Sequence, residues 1–402
     1  MATPNYDWIV VGGGLTGAAL SYELARQGQT VALVEPQDPL QGATRYSYGG
    51  IAHWSGTDLS TRQWCDRAQI RYGQLPTELE SDIQHRTVDL LLTVEPDADP
   101  PSVLAHYQGF TQAPRWLSPS EAVALEPELN GDAIGGALAF AHGHVCPLAL
   151  VQAYGQGFQR WGGVVHRCRY TGLRRSPRPT PIPAPVTGID TDRGVIAGQR
   201  VVICAGGVGR SLLRHAGFPL PLYYTQAEVI EIQHSSPLVR GVVMPAANDR
   251  GRLESHASQP HLDRRWDQPG QELVPPSLDL GAVQFRNGRL LLGQTSRTWS
   301  DLQPPIDAAA SAQAIRQGMA HLFPNLAGLP GTWHQCLVAF SRDGLPLVGE
   351  VDPGLGLYLF TGFSSPFVFV PPMAQVFAAA IATDPWDTSP LAPLHPRRFS
   401  PD

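Results

Sequence analysis

Residues 7–36, DWIVVGGGLTGAALSYELARQGQTVALVEP, decide how the rest of this chain is read. Asp7 to Val11 is a short apolar run that stops at Gly12-Gly13-Gly14, the pattern of a buried strand running into a tight turn. Leu15 to Gln27 has helical periodicity and good helix formers, and Gly28 ends it. Thr30 to Val34 is a second, β-branched strand that ends at Glu35, 23 residues after Gly12. Strand, helix, strand and acid surround Gly12-x-Gly14-x-x-Gly17, so the glycines have the context of a dinucleotide site. Gly12 permits the turn, Gly14 lets backbone approach a pyrophosphate, and Gly17 allows close strand–helix contact. The helix start, at Leu15 and Thr16, offers free N–H groups and the positive end of the helix dipole to phosphate. Glu35 is placed to accept from a ribose hydroxyl, and its charge disfavours a 2′-phosphate. The motif alone fits FAD or NAD; its place near the start of the chain favours FAD.

Working outward, the 402 residues contain no lysine, so all 29 basic residues are Arg. That excludes a pyridoxal Schiff base, a Walker-type phosphate loop and the other chemistries that need a lysine amine. Gly and Pro number 41 and 38, which fits the codon usage of a GC-rich genome as the cause. Charged residues are 16% against 43% hydrophobic, so a large core is available, and the length favours two domains. The net charge of −6 comes with dispersed Arg residues; the one dense run, Arg167 to Arg178, adjoins a Pro-rich stretch and reads as a solvated loop. No nucleic-acid partner is expected. Five cysteines without a CxxC spacing argue against a disulfide framework and against a metal site. No secretory leader or membrane-length apolar run is found, so a cytoplasmic location is expected.

Further along, Ser60 to Leu79 reads as a long helix, and residues 86–135 as less regular. Leu148 to Trp161 is helical, and Gly163–Arg167 and Arg200–Cys204 are strands. Ser176 to Pro185 holds five prolines and is a loop. Tyr224–Gln233 and Gly281–Gly293 alternate as antiparallel strands do, with a polar loop, Asn248 to Gln271, between them. Ala308–Phe323 is a helix. From Trp333 the order is strand, turn, strand, strand and then a helix, Met373–Ala382, opened by Pro371-Pro372.

Three segments make the chain resemble the D-amino-acid oxidase superfamily. They are residues 7–51, whose Gly42-Ala-Thr-Arg-Tyr-Ser-Tyr-Gly-Gly-Ile51 is similar to the family's loop beside the flavin; Arg200–Leu213, with the turn Ala205-Gly206-Gly207; and Phe340–Val348 with Gly356–Ser364. The resemblance implies an α/β protein: a Rossmann-like FAD-binding domain with an inserted substrate domain built on a mixed, largely antiparallel sheet. The first would comprise 1–85, 136–215 and 331–402, the second 86–135 and 216–330. It implies FAD contacts from Gly12, Gly14, Leu15, Thr16, Gly17, Glu35, Thr44, Arg45, Gly49, Gly50, Ala205, Gly206, Gly362, Phe363 and Ser364. The implied reaction oxidises a C–N bond of an amine or amino-acid-like substrate by hydride transfer to flavin N5. The imine then hydrolyses, and O2 or another acceptor takes the electrons.

The sequence departs from that family on the substrate side. Leu291 and Phe369 stand where sarcosine oxidase-like members carry lysines. Val338 stands where glycine and D-amino-acid oxidases carry the Arg that holds the substrate carboxylate. Ser365-Pro366 replaces a Gly-His pair. Cys336 falls where sarcosine oxidases attach the flavin covalently, so attachment there is the alternative to non-covalent FAD. Arg45 is the leading replacement cation, with Arg286 and Arg297 behind it. Tyr48 is a candidate donor to a carboxylate and His53 a candidate base; packing beneath the ring is the other reading of both. An NAD-dependent dehydrogenase and a non-catalytic FAD-binding protein remain the competing functions.

Overall fold

A computed structural model describes residues 5–177, 184–383 and 389–399. Most of the Pro-rich stretch after Ser176, with Arg178, lies outside the described residues. In chain order the strands are β1 (Asn5–Val11), β2 (Val31–Val34), β3 (Gly50–Ile51), β4 (Arg86–Val94), β5 (Arg115–Leu117), β6 (Gly136–His144), β7 (Val164–His166), β8 (Tyr170–Arg175), β9 (Val186–Thr191), β10 (Gly194–Ile203), β11 (Leu222–Gln233), β12 (Val242–Pro245), β13 (Glu272–Gln284), β14 (Arg289–Trp299), β15 (Thr332–Ser341), β16 (Leu347–Glu350) and β17 (Leu357–Thr361). The helices are α1 (Leu15–Arg26), α2 (Ala43–Tyr46), α3 (Leu59–Leu79), α4 (Pro100–Ala105), α5 (Pro119–Leu125), α6 (Pro147–Arg160), α7 (Gly209–His215), α8 (Asp249–Ala257), α9 (Asp263–Trp266), α10 (Ala308–Leu322), α11 (Pro324–Ala327) and α12 (Pro366–Thr383).

The first sheet runs β16-β17-β10-β1-β2-β7, with β9 and β8 continuing from β10. From β17 to β7 its neighbours are parallel. A parallel sheet is buried on both faces, and β1 shows why its sequence is a continuous apolar run. Trp8 and Val10 pack against α1, α3, α6 and α12, while Ile9 and Val11 face the cluster around Ile189, Ile203 and Leu347. The N-terminal βαβ unit therefore sits at the centre of a doubly covered sheet.

The second sheet runs β15-β11-β14-β13-β12-β4-β6-β3, with β5 on β6, and is antiparallel except between β12 and β4. One face packs on α10, with Ile230, Leu290 and Leu292 against Ile315 and Met319. The other face carries Ala227, Val229, Leu291 and Cys336 and meets Tyr46, Tyr48 and Trp54 from the N-terminal segment.

Several expectations change. Residues 86–94 are not irregular but a nine-residue strand, satisfied along its length by β6. Residues 136–144 and 332–341, expected with the first sheet, form β6 and β15 in the second. Residues 248–271 are not a loop: Asn248 caps α8 by accepting from the Gly251 N–H, and a short 3-10 turn and α9 follow. α12 begins at Pro366 rather than after Pro372, with Pro371 and Pro372 inside it. The five cysteines are buried and free. No helix among the described residues is long and apolar enough to cross a membrane.

Candidate cofactor and substrate site

The turn after β1 is forced by contacts that leave no room for side chains. Gly12 has φ +107°, and a Cβ there would meet the Cys204 carbonyl oxygen at 2.7 Å. A Cβ on Gly17 would lie 1.7 Å from the Gly12 carbonyl oxygen. Gly13, a variable position of the motif, is equally constrained, since its Cβ would strike the Glu35 side chain at 2.8 Å. Sequence reading passed over Gly13; the unbroken glycine triplet was its signal. Glu35 accepts from the Gly13 N–H at 2.8 Å and from the Gln37 N–H at 2.9 Å. A carboxylate has further lone pairs, so it can still accept from a ribose. No side chain caps Gly14 at the start of α1. The Leu15 N–H donates to the Thr44 hydroxyl at 3.0 Å, and the Thr16 hydroxyl donates to the Cys204 carbonyl at 3.1 Å.

Thr44 belongs to α2, and the loop that follows ties this cradle to the second sheet. Gly49 has φ +70°, with the Val145 carbonyl 2.1 Å from where a Cβ would be, and Gly50 packs on His142. β3 then pairs with β6. The Tyr48 hydroxyl donates to the carbonyls of Gly281 and Gly293 at 3.1 and 3.3 Å, and burial pushes its pKa well up. The expectation that Tyr48 donates to a substrate carboxylate thus meets a hydroxyl spent on joining loop to sheet.

The expected cations are also engaged. Arg45 Nη2 lies 3.3 Å from Glu231, which Arg289 approaches at 3.1 Å from its other oxygen. Arg297 pairs with the buried Glu228 at 2.7 Å and with Glu272 at 3.7 Å. Arg286 is half exposed and 3.9 Å from Asp82. His53 is half-buried with Nδ1 3.2 Å from the Ile51 carbonyl.

Two residues that sequence reading missed are His142 and His144 on β6. The Trp54 indole donates to His142 Nδ1 at 3.0 Å, and Arg86 Nε donates to His144 Nδ1 at 3.3 Å. Burial pushes both down to about 3, helped at His142 by His144 and at His144 by Arg86. Their signal was a period-two His-x-His on a strand. Both rings are neutral acceptors at neutral pH.

Beside the Gly12 turn, at the same end of the first sheet, Ala205 leads into a 3-10 turn, Gly206–Val208. Gly206 has φ +54°, and a Cβ there would meet the Leu337 carbonyl oxygen at 4.0 Å, whereas a Cβ on Gly207 would meet Leu337 Cβ at 2.6 Å. Gly362 has φ +77° at the end of β17. Phe363 is buried against Phe360, and the Ser364 hydroxyl donates to the Gly344 carbonyl at 3.3 Å. Cys336 stands opposite Ala227, and Val338 opposite Thr225. Burial pushes the Cys336 thiol up to about 12.

A helix N-terminus whose N-cap is a glycine, a turn at Gly12 and Gly17 closed to any Cβ, and an acid at the end of β2 fit the pyrophosphate and adenosine ribose of a dinucleotide. Residues 7–380 match the family of FAD dependent oxidoreductases. The chain belongs to that family. FAD is accordingly its cofactor. Among similar proteins, a glycine oxidase of Geobacillus kaustophilus is 25% identical over 408 residues, covering 98% of this chain and 97% of that one. A solved glycine oxidase from Geobacillus kaustophilus superposes with a TM-score of 0.74 at 21% identity over 98% of both chains. L-proline dehydrogenase from P. horikoshii gives 0.76 at 16% identity, over 99% of this chain and 98% of the other. This FAD-dependent oxidoreductase thus shares its two-sheet fold with enzymes named for amino-acid oxidation.

Proposed function

We propose that this protein oxidises the C–N bond of an amine or amino-acid-like substrate. The carrying observation is the loop at residues 42–51. It touches α1 through Thr44 and the second sheet through Tyr48 and β3, so it joins the cofactor cradle to the apolar face of Ala227, Leu291 and Cys336. The relatives named for oxidation of glycine and dehydrogenation of L-proline support the same class of substrate.

FAD, when bound, supplies a two-electron acceptor for hydride. The chain's own residues do the rest. Tyr46, Trp54 and Leu291 wall the face and exclude water. A neutral amine supports hydride loss from its carbon through its lone pair, giving an iminium ion that releases a proton to water to become the imine, which water converts to a carbonyl and ammonia or a smaller amine. The two electrons leave to O2 or another acceptor. The N-terminus of α12, after Gly362, would face the edge of the flavin that gains negative charge. FAD held without a covalent bond agrees with the raised Cys336 pKa, because the thiolate is the nucleophilic form.

The test is an absorbance spectrum before and after acid precipitation, followed by anaerobic mixing with glycine, sarcosine, D-alanine and L-proline. A yellow supernatant and bleaching by at least one amine are expected. A yellow pellet overturns the non-covalent assignment. A colourless protein that FAD cannot reconstitute, or a flavin no amine bleaches, overturns the function.

A further inference from the structure

α8 lies on the cofactor-facing side of the second sheet, opposite the face that α10 covers. Its partners place it. The Thr225 hydroxyl on β11 donates to Glu254 Oε1 at 2.8 Å, and Thr225 stands directly opposite Val338 on β15. One helical turn before Glu254, Arg250 Nε donates to the same oxygen at 2.8 Å. The guanidinium is therefore held over the β11–β15 pair beside Val338, close enough to Cys336 and Asp279 to act on both electrostatically.

Arg250 differs from the other arginines near this face in how it is spent. Arg45, Arg289 and Arg297 each commit a terminal nitrogen, Nη2 of Arg45 and of Arg289 to Glu231 and Nη1 of Arg297 to Glu272, although Arg45 Nε and Arg289 Nε and Nη1 have no hydrogen-bond partner. Arg250 uses only Nε; among the described residues Nη1 and Nη2 donate to no acceptor. Glu254 thus fixes the plane of the guanidinium from one edge and leaves the two-nitrogen edge free, the edge that binds a carboxylate in bidentate fashion. The side chain remains about a quarter exposed, so a small molecule can reach it.

We propose that Arg250 binds the carboxylate of the substrate, with Glu254 and Thr225 as positioning residues, so that α8 supplies from above the cation that β15 lacks at Val338. This deepens the proposed function, on which it rests, by making the substrate an amine that carries a carboxylate rather than a simple amine.

The experiment titrates the FAD-loaded enzyme with acetate, propionate and benzoate, each against its uncharged amide, following the flavin spectrum. The wild type is expected to bind at least one carboxylate tighter than its amide. Arg250→Met should weaken that carboxylate ~10- to 100-fold, the worth of one charge-assisted pair, and leave the amide unchanged. Arg250→Lys should recover part of the loss. Arg252→Met, which removes an exposed charge from the same helix, should change neither. FAD content and thermal unfolding establish that each variant is folded. Wild-type binding blind to charge, or Arg250→Met binding carboxylates as the wild type does, overturns the proposal. The two readings fail separately. If simple amines bleach the flavin and Arg250→Met has no effect, amine oxidation survives and this inference falls. If carboxylates need Arg250 but no amine bleaches the flavin, the reverse holds.

Discussion

Gly17 and His142 mark the two limits of what single residues disclose. Gly17 is legible because its role is local: five residues from Gly12, its Cβ would occupy that carbonyl oxygen. His142 is silent in the sequence because its environment comes from Trp54, 88 residues away. Burial leaves His142 and His144 neutral, and the sign of the pH effect follows. A histidine whose folded-state pKa is depressed contributes stability that is present above about 6.5 and is lost as pH falls toward the folded value of about 3. Each ring lowers stability by up to ~1.4 kcal/mol per pH unit in that window. Urea unfolding at several pH values between 7 and 4 should therefore show a falling midpoint. A His142→Gln/His144→Gln double variant should flatten it; an unchanged slope in the double variant overturns this account.

At the scale of elements, α12 is instructive. Read from sequence, Pro371-Pro372 open a helix, because proline fits a first turn and breaks an interior. The structure instead starts the helix at Pro366 and tolerates the later pair. Pro371 has no N–H for the Phe367 carbonyl, and the Tyr72 hydroxyl of α3 donates to that carbonyl at 2.7 Å instead. A side chain 295 residues away thus repairs the backbone, and nothing near the prolines announces it. Tyr72→Phe leaves a buried carbonyl unpaired and should destabilise by ~1–3 kcal/mol in urea unfolding. The same change in a Pro371→Ala background should cost less, since the restored N–H takes the carbonyl. Equal costs in the two backgrounds would count against the repair. α8 was hidden for a different reason. Its nine residues are mostly polar, with only Leu253 and Ala257 buried, too few to set a helical period.

At the scale of the molecule, two sheets share one cofactor loop. Thr44 and Tyr48 anchor it to both, so FAD binding and the stability of the whole should be linked. Free FAD at a hundred times its Kd should raise stability by about 2.7 kcal/mol, and NAD should not. Differential scanning calorimetry of apo protein with each nucleotide checks this; a shift with NAD equal to that with FAD would overturn it.

The sequence by itself determined the cofactor half. Strand, glycine turn, helix, strand and acid lie within residues 7–36, and the close approaches of Gly13 to Glu35 and of Gly17 to Gly12 that shape the turn are local to them. Only the tertiary structure decided the substrate half. Its charges come from β11, β13, β14, α2 and α8, and whether a guanidinium is free depends on which carboxylate packing brings to it. Arg45 looked available until Glu231, 186 residues on, was found beside it. Arg250 looked like loop until Glu254 and Thr225 fixed where it points. Local periodicity encodes backbone and burial, but the pairing of buried charges is a property of the packed chain.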